Sequence, residues 1–358
     1  KSIINLVASE GLGLDVSSGG ELYTALQCSV DPDKIIFHGN NKAIDELELA
    51  LKNNVRIVLD NEKELENIAT LTEKGYKARI MIRLKPEIEA HTHKYIKTGH
   101  IESKFGIGKE LLLSVVKAVD EHPSMSFLGL HAHIGSQILD VDPFYDLVGI
   151  MVDHMVSVKK ELGIDVAELN LGGGMGIKYM AADDPPSIRE VITAQALSVK
   201  SKCEENGLLL PKLYFEPGRS IVGNAGVTLY SIGAVKKVSE NRTYLFIDGG
   251  MADNLRPLLY QSQYTMEVAN KSTNNTAKTY TIAGKFCESG DILAEDVSLA
   301  ESEAGDLLVV FGTGAYNYAM ASNYNRYRRP AMVLVSKGRD ILMVRRETYE
   351  DLVRFDET

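Results

Sequence analysis

The order of apolar runs predicts an α/β chain that passes into an all-β domain. The expected architecture is a (β/α)8 TIM barrel whose first strand is missing from this sequence, followed by a C-terminal β-sandwich or Greek-key domain. Three observations carry this. Up to about residue 220, short apolar runs alternate with longer amphipathic ones, which implies parallel strands joined by helical crossovers. The ends of those runs are uniformly polar or small, as at the mouth of a barrel. After about residue 225, strand-like runs follow one another across polar turns.

Strands are expected at 13–17, 34–38, 55–59, 78–84, 127–134, 167–171 and 212–216. Helices are expected at 42–52, 62–74, 109–119 and 143–161. Asn61 with Glu64, and Ser187 with Glu190, have the spacing of a helix cap with an acid three residues on. Gly75 and Gly207 are suited to ending those helices. A closed barrel of this type takes eight strands, and this reading finds seven. The chain opens on Lys1-Ser2-Ile3-Ile4-Asn5-Leu6-Val7, which is already helix-like, so a strand before it is expected to be absent. The predicted domains are residues 1–224 and 225–358. In the second, strands are expected at 227–238, 243–248, 279–282, 307–311, 331–335 and 340–345, and residues 271–278 read as a hairpin loop.

With 358 residues, two domains are the default. Net charge of −10 argues against nucleic acid as a partner, and no apolar run is long enough for a membrane helix. Cys28, Cys203 and Cys287 are odd in number and far apart. That excludes a disulfide framework or a cysteine zinc site and suggests a reducing compartment such as the cytoplasm.

The strand ends carry the candidate chemistry. Leu213-Tyr214-Phe215 runs into Glu216-Pro217-Gly218-Arg219-Ser220. Pro217 stops sheet pairing and Gly218 lets backbone approach a ligand closely. The turn reads either as a functional site or as a strand end with a local ion pair. Gly172-Gly173-Gly174 and Gly176 follow a strand and could bring amide groups to an anion, or simply form a tight turn. His131 and His133 share a strand face, with His91, His93 and His100 upstream. No acidic ligand stands at a recognisable spacing, so no metal is expected. A histidine stacked on a flat cofactor, with Ser136 on its phosphate, suits the glycine run better, and a core histidine is the alternative for His131. Cys287 lies between Phe286 and Glu288-Ser289-Gly290-Asp291, well placed to move a proton. Arg256, Tyr260 and Tyr316 offer cations and phenols, whereas 326–329 reads as a solvated basic face.

Residues 131–137, 169–176, 215–220, 248–260, 287–291 and 314–323 resemble the group IV pyridoxal-phosphate decarboxylases of the alanine-racemase fold type. Thr92-His93-Lys94-Tyr95-Ile96-x-Thr98-Gly99, running into Ser103-Lys104-Phe105-Gly106, resembles the branch acting on diaminopimelate. The resemblance covers nearly the whole chain. It implies decarboxylation of meso-2,6-diaminopimelate to L-lysine in a cytoplasmic homodimer whose active sites are shared across the interface. By that resemblance His133 stacks on the pyridine ring, and Ser136, Gly173 and Glu216-Pro217-Gly218-Arg219 hold the cofactor. Glu216 would face the pyridine nitrogen. Arg219, Arg256, Tyr260 and Glu288 would bind substrate, Tyr316 would touch both substrate and cofactor, and Cys287 would act as catalytic acid from the partner subunit. Arginines suit the distal carboxylate of the substrate and Glu288 suits its amine.

One departure stands out. The family's cofactor lysine lies in a Tyr-Ala-x-Lys-Ala-Asn-like motif about nineteen residues before the aspartate matched by Asp15. Here that motif does not occur, and Lys1 precedes Asp15 by fourteen residues. The chain is therefore expected to be an N-terminally incomplete copy without the cofactor lysine. Decarboxylation of ornithine, lysine, arginine or carboxynorspermidine is the neighbouring expectation. A non-catalytic homologue that regulates a true enzyme is the one from another class.

Overall fold

The computed structural model describes residues 1–86, 104–272 and 277–357. His91, His93 and His100, the 92–99 motif with Ser103, and the centre of the 271–278 loop lie outside those residues.

Seven parallel strands form one sheet in sequence order, a nearly closed barrel wall: β1 (Leu14–Val16), β2 (Ile35–Phe37), β3 (Arg56–Leu59), β4 (Ala78–Arg83), β5 (Met125–His131), β6 (Glu168–Gly173) and β7 (Lys212–Glu216). Helices connect them, among them Gly19–Leu26, Ile44–Lys52, Glu62–Thr72, Leu112–Asp120, Asp142–Leu162 and Ile188–Glu205. Asn61 accepts from the Glu64 amide, and Ser187 with Glu190 makes a reciprocal cap. Gly75 and Gly207 adopt left-handed φ just past those helices.

Buried parallel strands are apolar on both faces, and two-residue alternation divides them. Phe37, Ile57, Leu59, Ile80 and Ile82 join the large core under the helices. Ile36, Val58 and Met81 form a separate cluster with Leu128 and Tyr214 on the other face, the barrel interior. Two residues further along each chain direction come His38, Asp60, Arg83 and Glu216, so the polar groups at the mouth continue the interior face. At the opposite end Arg56 donates from Nε to Glu168 at 3.0 Å, and the Tyr214 hydroxyl donates to the same carboxylate at 2.9 Å.

Two strand boundaries differ from expectation in ways that matter. β5 stops at His131, so His133 leaves the strand and is placed by its loop. β6 runs on to Gly173, with a register break between Asn170 and Gly173. There the glycines let β6 bend against β7.

By compactness the chain divides into one unit of Lys1–Gly176 with Pro185–Pro217, and a second of Ile177–Asp184 with Gly218–Thr358. The stretches Ile177–Asp184 and 218–224, numbered within the expected barrel span, pack with the second unit. Tyr179 shows why: its carbonyl accepts from the Thr265 hydroxyl at 2.8 Å, and its ring meets Tyr264 edge-on.

The second unit has a six-stranded sheet and a separate hairpin. Its strands are β8 (Val227–Ser239), β9 (Arg242–Ile247), β10 (Met266–Val268), β11 (Ala277–Ala283), β12 (Ile292–Ala300) and β13 (Leu307–Phe311), ordered β10-β13-β8-β9-β11-β12. β14 (Met332–Ser336) and β15 (Arg339–Val344) form the hairpin. All pairs are antiparallel except β9 with β11. β8 changes partner midway, pairing with β13 through Ser231 and with β9 from Ile232. Such a strand turns a corner between sheet halves. β10 and β12 were not expected from the sequence. β10 has only three residues, and in β12 Glu295 and Asp296 break the apolar alternation.

Candidate active site

Glu216 ends β7 on the interior face and is the hub of a buried polar cluster. Its Oε1 accepts from Asn170 Nδ2 at 2.7 Å and contacts His38 Nε2 at 3.0 Å. His131 Nε2 stands 3.3 Å from Oε1 and 3.4 Å from Oε2. The His38 and His131 rings meet edge-to-face at 4.2 Å, and Asp15 lies 3.5 Å from His38 Nε2. These groups come from β1, β5, β6 and β7 and the residue after β2.

Their proton affinities are far from ordinary. Although burial favours the neutral acid, His38 and His131 hold Glu216 well below the usual carboxylate range. Burial works against a charge on His38 too, but Asp15 and Glu216 outweigh it and raise its pKa. Burial and the neighbouring His38 take His131 down to about 3. Asp15 is pushed up to about 7, chiefly by its buried surroundings, although its side chain keeps 37% exposure, which screens part of that rise. At neutral pH the cluster therefore reads as ionised Glu216 and neutral His131, with His38 holding a proton more tightly than an ordinary imidazole. The buried Nδ1 of His131 makes no hydrogen bond, which suits a bare lone pair there and a proton on Nε2 facing Glu216.

The glycine run after β6 shapes the floor of this site. Gly172 donates to Asn170 Oδ1 at 2.9 Å, and Gly173 donates to His133 Nδ1 at 3.3 Å. Gly176 donates to the Ile138 carbonyl. The expected convergence of amides on an anion is thus narrowed, because Gly172, Gly173 and Gly176 spend their N–H groups inside the barrel. Close approach is what the glycines provide: a Cβ on Gly173 would run into the Glu216 carbonyl, and one on Gly172 into the Ala132 carbonyl. His133, half-buried and taken down to about 4 by burial, is neutral at physiological pH. Ser136 is exposed in the same loop.

A second interior network lies beside this one. Lys42 donates to Glu64 at 3.0 Å and to the Val58 carbonyl, both buried, and to the half-buried Gly39 carbonyl. Asp60 stands 3.7 Å from Arg83 and accepts from the Gly106 amide. Sequence reasoning gave His38, Arg83, Asn170 and Lys42 no role, used Asp15 only as a reference point, and took Glu64 only as a helix-cap acid. Asn170 had a signal: an amide between Leu169 and Leu171, inside an otherwise apolar strand.

In the second unit, Arg219 is buried and donates to the Tyr179 hydroxyl at 2.5 Å. Its guanidinium lies 4.9 Å from the Tyr316 ring centre. Arg256 lies 4.9 Å from the Tyr260 ring and 5.9 Å from Tyr316. Tyr316 is 46% exposed and has φ of +61°, an uncommon conformation for a residue with a side chain. Gly218 opens a short helix, Gly218–Val222, and a Cβ there would touch the Tyr316 hydroxyl. Cys287 and Glu288 are exposed. The Cys287 amide donates to Asn325 at 3.1 Å, and Glu288 accepts from the Tyr324 hydroxyl. So Arg219, Arg256, Tyr260 and Tyr316 come together, whereas the described partners of Cys287 and Glu288 are Asn325 and Tyr324.

His38, His131 and Glu216 lie close enough for their ligand atoms to surround a cation, within 4.8 Å of one another. Yet both ring nitrogens approach Oε1 at hydrogen-bond distance, and Asn170 adds a further N–H to that oxygen. This is a set of donors around a carboxylate, not an open ligand shell. It fits a flat cofactor with a basic ring nitrogen. An ionised, oriented carboxylate can keep such a nitrogen protonated, and the glycine floor leaves no side chain in the way.

The profile for the pyridoxal-dependent decarboxylase, pyridoxal binding domain, matches residues 1–223. The diaminopimelate decarboxylase of Synechocystis sp. is 49% identical, over 99% of this chain and 77% of that protein. The crystal structure of diaminopimelate decarboxylase from m. jannaschii, in complex with L-lysine, superposes with a TM-score of 0.92 at 36% identity, covering 100% of this chain and 82% of that one. That of diaminopimelate decarboxylase from Helicobacter pylori, also complexed with L-lysine, gives 0.91 at 32% identity, over 99% and 86%. With its barrel, its β-domain and the donor set around Glu216, the chain belongs to the pyridoxal-dependent decarboxylases, within the diaminopimelate decarboxylase family.

Proposed function

We propose that the protein converts meso-2,6-diaminopimelate to L-lysine and CO2 with pyridoxal 5'-phosphate, as a cytoplasmic homodimer. The single observation that carries this is the ionised Glu216 carboxylate, held by Asn170, His38 and His131 at the interior mouth of a barrel of this family. When bound, pyridoxal phosphate supplies the electron sink that decarboxylation needs.

The chain's own residues do the rest. Glu216 accepts the hydrogen bond of the protonated ring nitrogen. His133, neutral and anchored by the Gly173 amide, packs on the ring face, and Ser136 and the Pro217-Gly218-Arg219 turn take the phosphate side. Residues 1–224 serve as the cofactor domain and 225–358 as the domain that completes the site. Arg219 and Arg256, with Tyr260, bind the carboxylate of the unreacting end of the substrate, and Glu288 binds its amine. Tyr316 contacts both substrate and cofactor. Cys287, reaching the site of the partner subunit, delivers a proton to the carbon that CO2 leaves. Its exposure leaves the thiol accessible to a neighbouring subunit.

Ornithine, lysine, arginine or carboxynorspermidine as substrate has less support, as does a non-catalytic role, because the relatives above carry the diaminopimelate name. Release of CO2 and lysine from meso-diaminopimelate, measured beside the same assay on ornithine and arginine, tests the proposal. Lysine formed from diaminopimelate at a kcat/KM well above that for the others is expected. A preference for ornithine would reject it.

A further inference from the structure

The two oxygens of Glu216 are not equivalent. Oε1 takes the Asn170 amide at 2.7 Å, His38 at 3.0 Å and His131 at 3.3 Å, whereas among the described residues Oε2 has only the 3.4 Å contact with His131. A carboxylate oxygen carries about two lone-pair sites, so Oε1 is saturated and Oε2 keeps room for one more donor. Of the two histidines, His38 is the nearer to Oε1. Its Nε2 reaches Glu216 at 3.0 Å from the residue after β2, and Asp15 Oδ1 stands 3.5 Å from the same nitrogen. The groups facing this pair are Asp15 from β1, Arg83 from β4, His131 from β5, Asn170 from β6 and Glu216 from β7, with Glu21 beyond Asp15.

We propose that His38 is a positioning residue that fills Oε1 of Glu216 and thereby leaves Oε2 to hold the protonated ring nitrogen of pyridoxal phosphate. The inference rests on the reading of Glu216 as the partner of that nitrogen. The only bond made is N–H, with its proton taken from solvent, and the ring nitrogen then donates to Oε2. Without His38, Glu216 keeps Asn170 and His131 but loses one of the contacts that fix Oε1 and orient the carboxylate. Asp15, exposed and farther away, steadies His38 and contributes less.

The test uses pyridoxal phosphate labelled with nitrogen-15 in the ring, bound to the protein and read by NMR, where protonation moves the ring-nitrogen signal strongly. Wild type is expected to show a protonated ring nitrogen through pH 8, and Glu216→Gln a neutral one. His38→Ala is expected to lose most of the protonated signal at pH 8 and to bind pyridoxal phosphate roughly tenfold more weakly, the loss of one hydrogen bond to a charged group. His38→Gln, which keeps a donor at that reach, is expected to recover most of both, and it stands in if His38→Ala does not fold. A protonated signal unchanged in His38→Ala, or lost equally in His38→Gln and His38→Ala, would overturn the role of His38 while a neutral signal in Glu216→Gln still upheld the role of Glu216. A protonated signal persisting in Glu216→Gln would overturn the underlying reading itself.

Discussion

The polar group at the mouth of the barrel and the arginine–tyrosine group of the β-unit are built on opposite principles. In the barrel, side chains from successive strands are buried and bonded directly to one another, and several are driven far from their ordinary proton affinities. In the β-unit, Arg219 and Arg256 lie over the rings of Tyr316 and Tyr260, and both rings are about half exposed. Burial makes electrostatics strong and rigid, so the first group is suited to setting charge. The tyrosine rings beside these guanidinium groups face solvent, which suits a ligand that must enter and leave. The contrast fits the roles proposed above, with charge setting in the barrel group and carboxylate recognition in the arginine–tyrosine group.

The sharpest way to break this contrast is to disturb the barrel interior away from Glu216. Lys42→Ala strands Glu64 as a buried charge, and loss of one partner of such a pair costs roughly 3–5 kcal/mol. Chemical denaturation is expected to show that loss, whereas Lys42→Ala with Glu64→Gln together recovers part of it. A loss near zero would mean the interior is wetter than its burial indicates. Next in size, Cys287→Ala is expected to lower kcat by about a hundredfold, the contribution of a placed proton donor, with little change in melting temperature because the residue is exposed. An unchanged kcat would remove the thiol from the reaction.

Arg256→Ala sharpens the recognition side. KM for diaminopimelate is expected to rise about tenfold, as one charge-assisted contact is lost, with kcat nearly kept. The smallest effect concerns pH. His38 has a raised pKa in the folded chain, so its contribution to stability is complete below its unfolded value of 6.5 and is lost as pH rises through the higher folded value. Melting curves taken upward from pH 6 are expected to show wild type losing a few degrees relative to His38→Gln. Parallel curves would mean that His38 is not protonated beside Glu216.

Much of this was readable in the sequence, for identifiable reasons. Several barrel strands are short apolar runs ending in a polar residue, so Ile35-Ile36-Phe37-His38 and Leu213-Tyr214-Phe215-Glu216 announce both strand and mouth. The caps at Asn61 and Ser187 are local and were legible for that reason. What was not legible depends on distance along the chain. The Glu216–His38 contact joins residues 178 apart, and Lys42–Glu64 brings the loop after β2 against the helix after β3. The glycine run illustrates the same limit. Its sequence suits an anion nest, but Asn170 and His133 take its amides, and only the fold brings them there.

The most direct measurement is the steady-state kinetics of Glu216→Gln with meso-diaminopimelate. Division of labour between the two regions predicts a kcat about a hundredfold lower or more, the scale for removing one preorganised electrostatic contact, with KM within a few-fold of wild type. A KM raised by the same factor with kcat unchanged would place Glu216 in substrate binding and contradict the account.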